Sequence, residues 1–79
     1  MPFQQIREIV VRHGRLSAVT DDITATTDLY AVGLSSLTTV HLMLALEDHF
    51  EVEFPDKMLS RKTFESIQSI SEAIEELRA

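Results

Sequence analysis

Few residues in this chain are equipped to do chemistry. Two adjacent serines, Ser35 and Ser36, sit in "GLSSL" (residues 33–37), and three histidines, His13, His41 and His49, complete the set of candidate nucleophiles and bases; there is no cysteine. His41 follows Ser36 by five positions, about 140° around a helix, so the two side chains would not face each other. A serine activated by its own base is therefore not encoded. None of the histidines has a metal-ligand spacing with another histidine or an acid. Two glycines, Gly14 and Gly33, are too few for a phosphate-cradling loop, and Asp21, Asp22 and Asp28 lack the alternation of a calcium loop. His13 and His41 read as helix-surface residues. What remains is the pair of hydroxyls at the head of a long apolar run. Ser36 is either a plain helix cap or a chemical handle for an enzyme that brings its own base.

The elements that would position those hydroxyls follow from periodicity. Phe3, Ile6, Ile9, Val10 and His13 recur at helical spacing before Gly14, which predicts a first helix over about residues 3–13. Residues 15–35 read as turn and loop, with Leu16, Val19, Ile23, Leu29, Val32 and Leu34 spaced to pin a long connection onto the helices; loops of this length tend to be functional. Ser36 to about Phe50 lacks Gly and Pro and is rich in Leu, Ala, Met and Glu, a strong helix. Pro55 ends the segment that follows, and Asp56 to Ser60 is expected to form one short helical turn. Ser66 is a candidate cap for a last helix with Ile67, Ile70, Ile74 and Leu77 on one face and Glu72, Glu75 and Glu76 outside. The expected fold is all-α: a small four-helix bundle of three main helices and one short one, with a long first loop, as a single domain over residues 1–79.

Laid out at 100° per residue, the central helix has two apolar strips. Leu42, Met43, Leu46 and Phe50, with Thr39, form a core stripe, whereas Leu37, Val40 and Leu44 lie off to one side, flanked by Glu47 and Asp48. The second strip either packs under the long loop or accepts the apolar groups of a partner.

Composition narrows the function class. Seventy-nine residues without cysteine form one small domain held by packing alone, too small to enclose a deep active site, so a binding or carrier role fits. The absence of cysteine suits a cytoplasmic setting. The formal charge is −6 and unevenly spread: residues 1–19 carry Arg7, Arg12 and Arg15 against Glu8, while residues 20–60 carry eight acids against Lys57. That sign disfavours nucleic acid and suggests a basic partner surface, or serves solubility alone. No run of about 18 apolar residues exists to span a membrane, and the start of the chain lacks a signal peptide's basic and apolar segments.

The segment "DLYAVGLSSLTTVHLMLALEDHFEVEFPD", residues 28–56, resembles the central segment of acyl carrier proteins. Length, helix order, long first loop and acidity agree with that family. The resemblance implies that Ser36 is the handle, receiving 4′-phosphopantetheine from coenzyme A through a phosphopantetheinyl transferase and carrying an acyl group as a thioester. The position suits a phosphate, because a helix start offers free N–H groups and the positive end of the dipole. It also implies a partner face drawn from Leu34, Ser35, Leu37, Val40, His41, Leu44, Glu47 and Asp48, with Arg61 and Phe64.

Two departures refine the resemblance. The family's usual acid before the serine is Ser35 here, and two further commonly acidic positions are Thr38 and His41. The stretch "DKMLSRKTFES" after Pro55, with Arg61 and Phe64, looks more like that of D-alanyl carrier proteins and free-standing aminoacyl carrier proteins. The cargo expected from this likeness is a small amino acid, loaded by a separate ATP-dependent ligase resembling a seryl-tRNA synthetase, with the loaded arm lying outside the bundle. A fatty-acyl or polyketide carrier served by an acyl-carrier synthetase is the alternative within the class, and an unmodified helical adaptor the alternative outside it. The chain reads as free-standing, monomeric and non-enzymatic, and its downstream acceptor is not encoded.

Overall fold

The computed structural model describes residues 3–14 and 23–78. Its elements are α1 (Phe3–His13), α2 (Ser36–Phe50), a 3₁₀ turn (Asp56–Met58), α3 (Arg61–Phe64) and α4 (Ile67–Arg78), with no strand among the described residues. The three long helices fall where periodicity places them. α1 packs on α2 and α4, and α3 packs on α4. Ile6 and Val10 from α1, Leu42 and Leu46 from α2, and Ile67, Ile70 and Ile74 from α4 have no solvent exposure and form the centre of the core. Leu16, Val19, Asp21 and Asp22 lie outside the described residues.

The connection from Ile23 to Ser35 has no regular structure, yet its backbone is tied down. Leu29 N–H donates to the Glu65 carbonyl at 2.7 Å, and Gln68 N–H, one of the orphan donors at the start of α4, donates to the Ala25 carbonyl at 2.9 Å. The Asp28 carboxylate accepts the Tyr30 and Ala31 N–H groups at 3.0 and 3.3 Å, a local Asx turn. Ile23, Leu29 and Leu34 are buried and Val32 half-buried, as their spacing implies. The loop is thus a packed layer against α3 and α4.

One element differs from expectation. The short helix placed at Asp56–Ser60 is a 3₁₀ turn that ends at Met58, and the short α-helix lies further on, at Arg61–Phe64. Ser60, extended at φ −136° and ψ 161°, separates the two. The break lets both Met58 and Phe64 reach the core, where the Phe64 ring meets Phe54 at 5.4 Å between centroids. α4 begins as Ser66 suggests: Ser66 Oγ accepts the Ser69 N–H at 3.1 Å and Ser69 Oγ the Ser66 N–H at 3.1 Å.

α2 ends in a residue that a helix terminus usually reserves for glycine. Glu51 has φ 55° and ψ 47°, the left-handed region, with its N–H on the Glu47 carbonyl. A side chain there costs about 1 kcal/mol or more relative to glycine. Glu51→Gly is therefore expected to stabilise the fold by about 1 kcal/mol, whereas Leu46→Ala, which empties a fully buried site, should cost about 2–5 kcal/mol. Urea denaturation of both variants checks the pair.

Candidate functional site

The two serines divide the work at the head of α2. Ser35 is the N-cap: its Oγ accepts the Thr38 N–H at 3.2 Å while its own N–H donates to Thr38 Oγ1 at 2.8 Å. This is a capping box with threonine in the place usually held by Glu or Gln. Thr39 reinforces it, its N–H reaching the Ser35 carbonyl at 2.8 Å and its Oγ1 donating to the same oxygen at 2.7 Å. The cap reading raised for Ser36 therefore belongs to its neighbour. Ser36 is the first residue of the helix, exposed, and its Oγ has no hydrogen-bond partner among the described residues.

Ser36 opens onto a groove of about 480 Å³ between α2 and the segment running from Leu59 into α3. Val40 and Met43 form one wall, Leu59 and Arg61 the other, with Tyr30 between. Tyr30 is fixed at two points. Thr39 Oγ1 lies 3.2 Å from the Tyr30 hydroxyl, and the Arg61 guanidinium stacks over the Tyr30 ring at 4.4 Å from its centroid. The long loop, α2 and α3 thus meet at one aromatic ring beside the free hydroxyl.

The second apolar strip of α2 lies in solvent. Leu37, Val40 and Leu44 are 69%, 48% and 55% exposed, and Leu59 across the groove is 46% exposed. The strip does not pack under the long loop. His41 and Asp48 are exposed beside it.

Three residues expected on the partner face have other employment. Leu34 and Phe64 are buried in the core, with only their edges lining the groove. Glu47 is half-buried and its Oε2 accepts the Phe54 N–H at 2.9 Å, which holds the chain as it leaves α2. Glu47 is therefore a positioning group, and Asp48 alone of that pair faces outward. Arg61 is exposed but lies on Tyr30 rather than on the α2 surface. Sequence reasoning missed Tyr30, Thr38, Thr39 and Leu59. Thr38 carried a signal, the Ser-x-x-Thr spacing of a capping box; the other three are brought together only by tertiary packing.

The arrangement fits a phosphate ester on Ser36. The hydroxyl is free and exposed, the first-turn N–H groups of Ser36 and Leu37 have no acceptor among the described residues, and no carboxylate stands at Ser35 or Thr38 to repel an anion. An open groove of about 480 Å³ lies beside it.

Comparison with known proteins agrees. Residues 4–74 match the family described as "Phosphopantetheine attachment site". An aminoacyl carrier protein of Agrobacterium fabrum is 48% identical over 69 residues, covering 87% of this chain and 83% of that one. The crystal structure of an engineered Bradyrhizobium japonicum glycine:[carrier protein] ligase complexed with carrier protein from Agrobacterium tumefaciens and ATP holds a chain of 44% identity and TM-score 0.89, over 95% of this chain and 97% of that one. A second, of B. japonicum glycine:[carrier protein] ligase complexed with glycylated carrier protein, matches at 25% identity and TM-score 0.76, over 90% and 95%.

The split between the serines is measurable as stability. Ser35→Ala should cost about 1 kcal/mol by removing the cap, and Ser36→Ala, at an exposed position with no bond to lose, should stay within about 0.5 kcal/mol of the parent. Thermal or urea unfolding of the two variants distinguishes them.

Proposed function

The chain belongs to the phosphopantetheine attachment-site family, and from that premise we propose that it carries a small amino acid, glycine first, as a thioester on a 4′-phosphopantetheine arm joined to Ser36. The observation that carries this reading is the unpaired, exposed Ser36 hydroxyl on the first turn of α2, beside an open groove. Ser36 Oγ forms a bond to the coenzyme A phosphorus nearest the pantetheine, 3′,5′-ADP leaves, and the hydroxyl proton passes to a base on the phosphopantetheinyl transferase. The helix start holds the resulting phosphodiester in the field of the α2 dipole. When bound, the arm supplies a thiol on which a carboxylic acid is held in activated form.

The chain itself catalyses nothing in this scheme. His41 stands about 140° around α2 from Ser36, so the two side chains do not face each other, and no group of three or more potential metal ligands occurs among the described residues. Activation of the cargo falls to a separate ATP-dependent amino acid:carrier protein ligase. Support comes from the aminoacyl carrier relative and from the matched structures, in which glycine:[carrier protein] ligases hold chains of this fold. Physical chemistry agrees, since an ammonium group would be costly to bury among aliphatic side chains. Coenzyme A and ATP, both consumed on this route, favour a cytoplasmic site of action, and no helix among the described residues is long and apolar enough to cross a membrane.

A second reading, a carrier of short fatty-acyl groups, draws on the groove, whose walls Val40, Met43 and Leu59 are apolar. Offering the holo protein separately to a glycine ligase and to an acyl-carrier synthetase decides between them: glycine loading without fatty-acyl loading is expected.

Ser36→Ala should abolish the mass gain of one phosphopantetheine after incubation with coenzyme A, magnesium and a broad-specificity transferase, while Ser35→Ala should still be modified. Modification of the Ser36→Ala protein would refute the assignment. The exposed strip is assigned to the ligase. Val40→Ser or Leu44→Ser should weaken ligase binding by about 1–2 kcal/mol if either is an anchor, with the unfolding midpoint almost unchanged. Titration calorimetry against the ligase, paired with thermal melts, checks this.

A further inference from the structure

The groove beside Ser36 has apolar side chains on both walls, Val40 and Met43 on one and Leu59 on the other, and the cation of Arg61 stands beside Leu59. Arg61 is exposed, stacked on Tyr30, and among the described residues no carboxylate pairs with it. Its guanidinium is a cation with a planar face that suits stacking on an aromatic ring. Tyr30 cannot swing aside easily, because its hydroxyl is engaged by Thr39 on α2 and its N–H by Asp28. The exposed guanidinium is thus positioned over the ring, beside a groove that Val40, Met43 and Leu59 also line. An acyl group on an arm attached at Ser36 can reach this groove. Whether it stays there depends on what the group presents to Arg61.

Building on the carrier reading above, we propose that Arg61, held on Tyr30, is a specificity-determining residue that turns an aminoacyl ammonium out of the groove while leaving it open to uncharged acyl groups of the same size. A glycyl group and a propionyl group have nearly the same shape, and differ in an ammonium where the other has a methyl. The methyl gains from the apolar walls. The ammonium loses water there and meets a like charge at the rim, and both effects act against entry. The aminoacyl group is therefore presented in solvent, available to an acceptor, whereas a mischarged acyl group is sheltered. Because Arg61 is exposed, added salt weakens the exclusion.

The test attaches both probes without the ligase. Amide-linked glycyl and propionyl analogues of coenzyme A are transferred to the full chain by a broad-specificity transferase. Mass spectrometry then confirms one arm per chain; a chain that takes no arm overturns the carrier reading itself, before any spectrum is recorded. Methyl resonances of Val40, Met43 and Leu59 are compared with those of the unacylated arm at about pH 6.5, where the glycyl amine is protonated. The propionyl probe is expected to shift them, and the glycyl probe to shift them roughly tenfold less. In Arg61→Glu the glycyl probe should shift them as far as propionyl does, and in Arg61→Lys it should stay out. The propionyl shifts in each variant report that the groove is still formed, and Arg61→Gln, which removes the charge together with the stack on Tyr30, replaces Arg61→Glu should reversal disturb it. Equal shifts from the two probes in the parent chain overturn the proposal. So does a glycyl group that stays outside in both Arg61→Glu and Arg61→Gln, since desolvation alone would then account for it.

Discussion

The reciprocal bonds between Ser35 and Thr38 decide what α2 can present. They place the cap on Ser35, so the next hydroxyl is inside the helix with its oxygen uncommitted. Positions four apart share a helix face, and Ser36 stands in line with Val40 and Leu44, the exposed apolar strip. Had the cap fallen on Ser36, its oxygen would have been consumed by a first-turn N–H. The free serine would then be Ser35, one residue outside the helix and off the line of Val40 and Leu44.

That arrangement needs a rigid floor under it, and the chain has no disulfide to provide one. The connection before α2 supplies it by pairing with the far end of the molecule. The Leu29 N–H on the Glu65 carbonyl and the Gln68 N–H on the Ala25 carbonyl exchange bonds between the loop and the junction of α3 and α4. Buried backbone groups must find partners somewhere, and here the loop's partners are also the orphan groups of helix ends. The same contact brings Tyr30 against Arg61. The site is consequently coupled to the core: Leu29 and Phe64 are buried, while their neighbours Tyr30 and Arg61 reach the groove.

The sequence revealed what repeats and concealed what is long-range. The bounds of α1 and α2, the Ser66 cap and the two strips of α2 were legible because each is written in spacing within one helix. The structural bond of Glu47 was illegible for the opposite reason. Its place beside the exposed strip is visible on a wheel, but its bond to the Phe54 N–H depends on how the chain turns after Glu51. Thr38 was noted as a missing acid and is in fact a cap partner. Loss of charge there and gain of the capping box are one substitution seen from two sides. The turn expected within Asp56–Ser60 is present as a 3₁₀ turn, but α3 after it was not foreseen, because elements of three or four residues carry too little periodicity to locate. Their positions are set by Met58 and Phe64 reaching a common core.

Charge and handle are kept apart along α2. Asp48, Glu51, Glu53 and Asp56 are exposed at or beyond its far end, whereas the first turn carries no acid. Asp48 and Glu51 lie about 18 and 22 Å along the helix axis from Ser36, more than twice the Debye length of about 8 Å at physiological ionic strength. These two acids can therefore steer a basic partner toward the molecule without altering the field at Ser36 appreciably. Among the described residues that line the groove beside Ser36, the charged one is Arg61, brought there by the segment after Pro55 that also supplies Leu59. The acids past the end of α2 and the cation beside the attachment point thus belong to different segments of the chain and have opposite sign.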